Sequence, residues 1–146
     1  MKIQKQDIYH GPALMQIVEH PSFTALNKPD EKYGHYIVNT DRQLFVKYRD
    51  SDESPWRFTF QPEEIVAIKA DIRRSNHETF ICLVCGDFSI CCLDSSELRS
   101  VIDLSSETTQ WVSVEVPAGG SQHVAGSNGK LGYTIPHNSY PDKVLA

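Results

Sequence analysis

All four cysteines of the chain lie within one apolar stretch, residues 80–93. Cys82 and Cys85 have the C-x2-C spacing of half a zinc site, and four thiolates would complete the tetrahedral coordination that zinc prefers. Cys91 and Cys92 are adjacent, however, and neighbouring residues of a strand point to opposite faces of a sheet. Free cysteines often pack as small apolar side chains in protein cores. We therefore predict buried thiols, no metal site and no cofactor.

The six histidines are not spaced as a local metal site or catalytic pair. No two of them have the HxH or HxxxH spacing that places two ligands on one face of a strand or helix. We predict that they are scattered over the surface. His35, which begins a predicted strand, and His137, which follows Ile135-Pro136 in the tail, are the two strongest candidates for a functional role.

Cations alternate along two predicted strands. Lys47, Arg49 and Arg57 point outward if those strands pair, and Arg42 lies in the turn before them. A cluster of guanidinium and ammonium groups suits a carboxylate or a phosphate. We therefore predict that Arg42, Lys47, Arg49 and Arg57 bind a protein or an acidic peptide. The alternative is that these cations are only the solvated face of a sheet, balanced by the acidic loop 50–53.

The composition limits the classes of function. The 146 residues carry a formal charge of −5 and are 40% hydrophobic, a globular mixture that is large enough to bury a core. Non-specific nucleic-acid binding comes from neutralisation of phosphates by Lys and Arg, so nucleic acid is not expected as a partner. The chain shows neither an apolar run of bilayer length nor a signal peptide. We expect a soluble cytoplasmic protein without a membrane partner.

The predicted order of elements suggests a second function. Helix, three strands, helix and strand is the order in the restriction-endonuclease-like core, and the chain resembles that family in this order. The resemblance implies a divalent-metal site with the motif PD…(D/E)xK. Asp41 and Lys47 are the nearest acid and base, but Phe45 stands where the motif has its second acid. The alternative function is therefore a metal-dependent nuclease-like hydrolase with an incomplete motif. Because no complete catalytic set can be assembled, we prefer a non-catalytic binding or accessory module.

The apolar stretch 80–93 predicts the centre of the core. Gly86-Asp87 suits a two-residue hairpin turn, which would place Cys82 opposite Cys91. Both faces of the hairpin are apolar, so we expect both to be covered.

The remaining elements follow from amphipathic spacing, caps and turns. Helices are predicted over residues 12–19, 62–74 and 95–104. Strands are predicted over residues 35–38, 44–48 and 56–60, as one antiparallel run, and over 110–116. Residues 117–146 are rich in Gly and Pro and are expected to be loosely structured. The whole chain, residues 1–146, is predicted to be a single α+β domain with a mostly antiparallel sheet, built from hairpins, and two or three helices.

Overall fold

The computed structural model describes residues 1–74 and 76–145 and shows an α+β fold. Its helices, among these residues, are α1 (Lys5–Val18), α2 (Pro62–Arg74), α3 (Ser95–Val101), α4 (Asp142–Leu145) and a 3-10 turn at His137–Ser139. Its strands are β1 (Leu26–Asn27), β2 (His35–Val38), β3 (Arg42–Arg49), β4 (Trp56–Phe60), β5 (Glu78–Cys85), β6 (Ser89–Asp94), β7 (Gln110–Glu115), β8 (His123–Gly126) and β9 (Gly129–Lys130). The predicted fold class is confirmed, with more helices than predicted. No helix in the described residues is long and apolar enough to cross a membrane.

The strands form two sheets. The first sheet has the order β1-β2-β3-β5-β6, and its neighbours are antiparallel except for β3 and β5, which run parallel. A parallel pair needs a crossover connection, which here contains β4 and α2. The second sheet has the antiparallel order β4-β7-β8-β9. The predicted antiparallel run over residues 35–60 is therefore wrong for β4, because this strand pairs with β7 and not with β3.

Both faces of the first sheet are covered, as its apolar composition predicts. One face packs against the second sheet, α2 and α3, in a core that contains Phe58, Leu83 and Leu98. The opposite face packs against α1 and the C-terminal segment, in a core that contains Ile17 and Val144. The first sheet is therefore the central layer of the molecule.

The β5–β6 hairpin is correctly predicted, but its register is shifted by one residue. Pairing ends at Cys85 and Ser89, so the loop comprises residues 86–88. Gly86 begins this loop with φ at +57°, and a Cβ atom there would lie 2.5 Å from the carbonyl oxygen of Ser51, so only glycine fits. A shift of one residue moves each side chain of a strand to the opposite face.

The register decides which cysteines meet. Cys82 lies opposite Cys92, and the predicted pairing of Cys82 with Cys91 is wrong. Cys85 and Cys91 face the second sheet, whereas Cys82 and Cys92 face α1 and the C-terminal segment. All four thiols are buried, as predicted, and each is a free cysteine in this structure.

Helix α1 begins earlier than predicted. It starts at Lys5 and not at residue 12, because Gln4 and Asp7 form a capping box at its N-terminus. Pro12 lies inside the helix on its exposed side, where water can hydrogen-bond to the carbonyl group that proline leaves without a partner. Proline is common in the first turn of a helix, so Gly11-Pro12 indicated the wrong start.

The other predicted helices are confirmed with one change of length. α2 has the predicted bounds. α3 ends at Val101 and not at residue 104, but the capping box formed by Asp94 and Glu97 is present. This box fixes the point at which β6 becomes α3.

The tail, which we expected to be loosely structured, has defined elements among its described residues. The tail contains the β8–β9 hairpin, the 3-10 turn and α4. The Tyr140 hydroxyl donates a hydrogen bond of 2.7 Å to the carbonyl oxygen of Ala13 in α1. The Lys143 ammonium group donates one of 2.9 Å to the carbonyl oxygen of Cys92 in β6. These contacts come from single side chains without periodic spacing, so no sequence pattern indicates them.

Candidate functional site

The four predicted cations do not share one surface. β3 and β4 belong to different sheets, and Arg57 lies on the outer face of the second sheet. Its guanidinium carbon is 4.2 Å from the centre of the Trp111 ring. Arg42 begins β3 and pairs at 2.6 Å with the carboxylate of Asp41 in the preceding turn. The premise that β3 pairs with β4 is wrong, and binding by the individual residues stays a prediction.

Lys47 and Arg49 lie on the face of β3 that is turned toward α2 and the second sheet. Phe45 on this face packs against the core between the sheets, and strand alternation places both cations on the same face. Lys47 forms an ion pair with Glu64 of α2, and its ammonium group is 4.7 Å from the centre of the Phe60 ring. Arg49 is exposed and forms no ion pair within the described residues.

The acid and base of the nuclease-like alternative are far apart. Asp41 precedes β3, and Lys47 is the sixth residue of this strand. At about 3.3 Å per residue, they are separated by about 20 Å. Within residues 1–74 and 76–145, no group of three or more His, Cys, Asp or Glu side chains is arranged to hold a metal ion. The structure brings Lys47 to a candidate site, but not Asp41.

Lys47 lines a cavity between β3 and α2. This α2 cavity has a volume of about 420 Å³. Phe45 and Ile68 give it mostly apolar walls, Tyr33 lies at its mouth, and Glu64 lies beside Lys47. An apolar side chain of a ligand would fit such a cavity, with its polar atoms directed at the ion pair.

A second cavity lies around the edge of the same strand. This α1 cavity has a volume of about 320 Å³ and is lined by Gln6 and His10 of α1 and by Tyr48 of β3. It shares Tyr33 and Lys47 with the α2 cavity. We call the two cavities together the β3 cleft. The cleft passes the part of β3 that extends beyond the end of β2, from α2 on one face of the first sheet to α1 on the other.

The edge of β3 inside this cleft is open. Pairing of β3 with β2 ends at Phe45, followed by one hydrogen bond of 2.7 Å from the Val46 amide to the Gly34 carbonyl oxygen. Residues 47–49 pair with β5 alone. Backbone groups alternate in direction along a strand, so the N–H and C=O of Tyr48 point to the same side as the Val46 amide. That side carries no paired strand beyond Gly34 in the described part of the chain.

Gly34 keeps the edge open. Its φ of +71° turns the chain away from β3, and a Cβ atom there would lie only 2.3 Å from the carbonyl oxygen of Val46. Only glycine combines this backbone conformation with such a close approach. The cleft therefore depends on a residue that has no side chain.

His10 is a titratable residue of the α1 cavity, and it is buried although the sequence predicted a surface histidine. Its ring lies edge-on to Tyr48 with the ring centres 5.7 Å apart. Burial lowers the pKa of His10, and Lys28 adds to this effect against the opposing charge of Asp7. The neutral imidazole that results at pH 7 both donates and accepts hydrogen bonds.

A buried polar network supports the wall of the α2 cavity. His35 is almost fully buried and stacks on Phe45 with the ring centres 4.2 Å apart. Its Nδ1 is 2.9 Å from Asp30 Oδ2, and its Nε2 is 2.7 Å from Gln43 Oε1 and 3.4 Å from Asp71 Oδ2. The prediction of surface histidines is wrong for His35 and His10, because both pack through contacts that the sequence does not display.

Sequence reasoning found only the cationic part of this cleft. Lys47 stands out by alternation, but Tyr33, His10 and Glu64, which also line the cleft, come from three separate segments. The available signal was Tyr33-Gly34 directly before a strand, since glycine at such a point often turns the chain. No family model, curated protein or solved structure matches this chain.

Proposed function

We propose that the protein is a non-catalytic binding module that captures an extended, acidic peptide segment of a partner protein. The segment adds as a strand to the open edge of β3. The observation that carries this proposal is the unpaired backbone of Tyr48, on the side where β3 extends beyond the end of β2 and the two cavities adjoin. No observation within the described residues favours the nuclease-like alternative over it.

Strand addition explains why the cleft has two cavities. The backbone of the peptide would hydrogen-bond to the N–H and C=O of Tyr48 and so gain affinity that does not depend on its sequence. Its side chains alternate between the two faces of the sheet. One set would enter the apolar α2 cavity, and the other would enter the α1 cavity beside His10. The α2 cavity therefore selects an apolar side chain.

The charges at the edge favour an acidic peptide. Arg49 is exposed beside Tyr48. Within the described residues it forms no direct ion pair, although its charge helps to lower the pKa of the neighbouring Asp50, after the larger effect of Lys5. A guanidinium group forms paired hydrogen bonds with a carboxylate. Lys47 is already paired with Glu64, so a peptide carboxylate would share it and gain less there. We therefore assign the preference for acidic residues mainly to Arg49.

The test is a selection of random linear peptides displayed on phage against the immobilised protein. We expect enriched peptides that alternate apolar and acidic residues. In the complex, the Tyr48 amide should be protected from hydrogen exchange, because it gains a partner. The backbone N–H groups of alternate peptide residues point toward β3. N-methylation of those residues should abolish binding, and N-methylation of the residues between them should not. Peptides that bind without protecting Tyr48 would contradict strand addition.

Arginine variants distinguish this site from a single binding surface formed by Arg42, Lys47, Arg49 and Arg57. Arg49→Ala should weaken peptide binding by about tenfold, since a charge-assisted hydrogen bond contributes about 1.5 kcal/mol. Arg57→Ala and Arg42→Ala are matched controls and should bind as the wild type does, because these residues lie on the second sheet and beside Asp41. Equal losses in all three variants would favour one shared patch. Fluorescence anisotropy measures the affinity, and circular dichroism checks the fold.

A further inference from the structure

A serine and a histidine are in contact where the β5–β6 loop ends and β6 begins. Ser89 is the first residue of β6, and His137 begins the 3-10 turn of the tail. The Ser89 hydroxyl oxygen lies 2.6 Å from Nδ1 of His137. The opposite ring nitrogen, Nε2, lies 3.1 Å from the carbonyl oxygen of Gly120. The imidazole is thus held between a hydroxyl group and a backbone carbonyl group.

The carbonyl group determines where the protons are. The carbonyl oxygen of Gly120 only accepts hydrogen bonds, so Nε2 of His137 carries a proton and donates it. In the neutral imidazole, Nδ1 is then an acceptor, and the Ser89 hydroxyl donates to it. The next acceptor near this hydroxyl, Oε1 of Gln122, is 3.5 Å away. A nucleophile, a base and a group that orients the base are therefore linked by consecutive hydrogen bonds, as in serine hydrolases.

The pair opens into a cleft that could hold a substrate. This cleft has a volume of about 470 Å³, and Ser89 and His137 both line it. Its other walls include Tyr9 and Pro12 of α1 and the exposed side chain of Phe88. Phe88 packs edge-on against the His137 ring with the ring centres 5.5 Å apart. The cleft shares no lining residue with the β3 cleft.

We infer that Ser89 is a nucleophile activated by His137 and that it accepts acyl groups from carboxylic esters with a small apolar acyl chain. The apolar walls of Tyr9, Pro12 and Phe88 suit such a chain. This inference does not depend on the proposed peptide-binding function.

The reaction has two steps of acyl transfer. The Ser89 oxygen bonds to the ester carbonyl carbon while its proton moves to Nδ1 of His137. The bond from that carbon to the alkoxy oxygen then breaks, and the leaving oxygen takes the proton from Nδ1 as an alcohol. Water next attacks the acyl carbon and gives a proton to Nδ1. The bond to Ser89 breaks, Ser89 regains the proton, and the carboxylic acid leaves.

The first test is covalent labelling with an alkyl fluorophosphonate, in which the serine oxygen displaces fluoride from phosphorus. Mass spectrometry of the wild-type digest should place the adduct on Ser89. Ser139 is the internal control. It lies in the same 3-10 turn as His137, but its hydroxyl donates a hydrogen bond of 2.9 Å to the Pro136 carbonyl oxygen and not to a histidine. Labelling of Ser139 equal to that of Ser89, or no labelling of Ser89, would overturn the inference.

The second test isolates the base. His137→Gln should slow the labelling of Ser89 and the hydrolysis of para-nitrophenyl butyrate by at least about 100-fold, as expected when a general base is lost. His123→Gln is the matched control, because His123 is an exposed histidine on β8, and it should react as the wild type does. Labelling that persists in folded His137→Gln would show that the contact only anchors the tail. Wild-type protein unfolded in urea should not be labelled, which keeps the test valid if a variant fails to fold.

Discussion

Leu83 contributes to stability at the scale of a single side chain. It is fully buried in the middle of β5, within the core between the two sheets. Leu83→Ala removes apolar contacts and leaves a cavity, so we expect the free energy of unfolding to fall by about 2–5 kcal/mol. Urea unfolding followed by circular dichroism measures this change.

Val66→Ala is the matched control for that substitution. Val66 lies on α2 with 67% of its surface exposed, and surface changes of this kind alter the free energy of unfolding by no more than about 0.5 kcal/mol. A urea midpoint that moves equally little in Leu83→Ala would contradict the burial of β5.

Residue burial was predictable where alternation is regular and unpredictable at a loop. Trp56, Phe58 and Phe60 alternate with polar residues, a pattern that places all three on one face of a strand, and all three are buried. Phe88 belongs to the apolar stretch, and a two-residue turn at Gly86-Asp87 would place it on a covered strand face, but it is 60% exposed. The cause is the length of the loop, which has three residues and includes Phe88. Loop length decides the register of the hairpin, and apolar composition does not reveal this length.

At the scale of elements, the α1–tail contact makes a prediction about the C-terminal segment. Tyr140 is buried, and its hydroxyl bonds to the backbone of α1. Tyr140→Phe keeps the ring and removes this hydrogen bond, so the free energy of unfolding should fall by about 0.5–1.5 kcal/mol. Thermal unfolding measures the difference.

Tyr33→Phe is the control for Tyr140→Phe, since Tyr33 is 80% exposed and its loss of a hydroxyl should not change stability. Equal melting temperatures for Tyr140→Phe and the wild type would contradict the packed tail. Hydrogen exchange in the second half of α1, which contains Ala13, should also rise in Tyr140→Phe, because the helix loses its contact with the tail.

Pairing between distant elements limits what the sequence predicts. The strands β2, β3 and β4 follow one another in the chain and carry similar patterns, so we expected each of them to pair with the next. β4 instead pairs with β7, which comes after α2, β5, β6 and α3 in the chain. No local signal specifies such a partner. The same limit applies to the sites, since Ser89 and His137 are brought together by the folding of the tail.

At the scale of the whole molecule, Glu97 joins several elements. Its carboxylate accepts hydrogen bonds from Lys143 of α4 and from the Tyr133 hydroxyl, both at 2.6 Å, and from the Asp94 amide at 3.0 Å. Burial raises the pKa of Glu97, but these donors outweigh it and lower the pKa below its ordinary value of about 4.5. The hydrogen bond to Glu97 also raises the pKa of Tyr133 to about 12.

This lowered pKa predicts the dependence of stability on pH. A depressed carboxylate pKa stabilises the folded state above the unfolded value and loses this effect as the pH falls through the folded value. Glu97→Gln should therefore be less stable than the wild type at pH 7, by about 1.5–3 kcal/mol for hydrogen bonds to a charged group. The difference should shrink as the pH falls below about 4.5. Urea unfolding at several pH values measures it.

Glu107→Gln is the control, since Glu107 is exposed in the loop before β7. Its stability should follow that of the wild type at every pH. A constant difference between Glu97→Gln and the wild type from pH 7 to pH 3 would contradict the charged role of Glu97.

The four buried thiols of the β5–β6 hairpin can also report when the layers that cover the first sheet separate from it. Burial raises the pKa of Cys85 to about 12, so its thiol reacts with a disulfide reagent such as DTNB only after the surrounding layer has separated. Cys85 and Cys91 are covered by the second sheet, and Cys82 and Cys92 by α1 and the tail. The order in which the two pairs are labelled would therefore reveal which layer leaves the first sheet first, without any substitution in the chain.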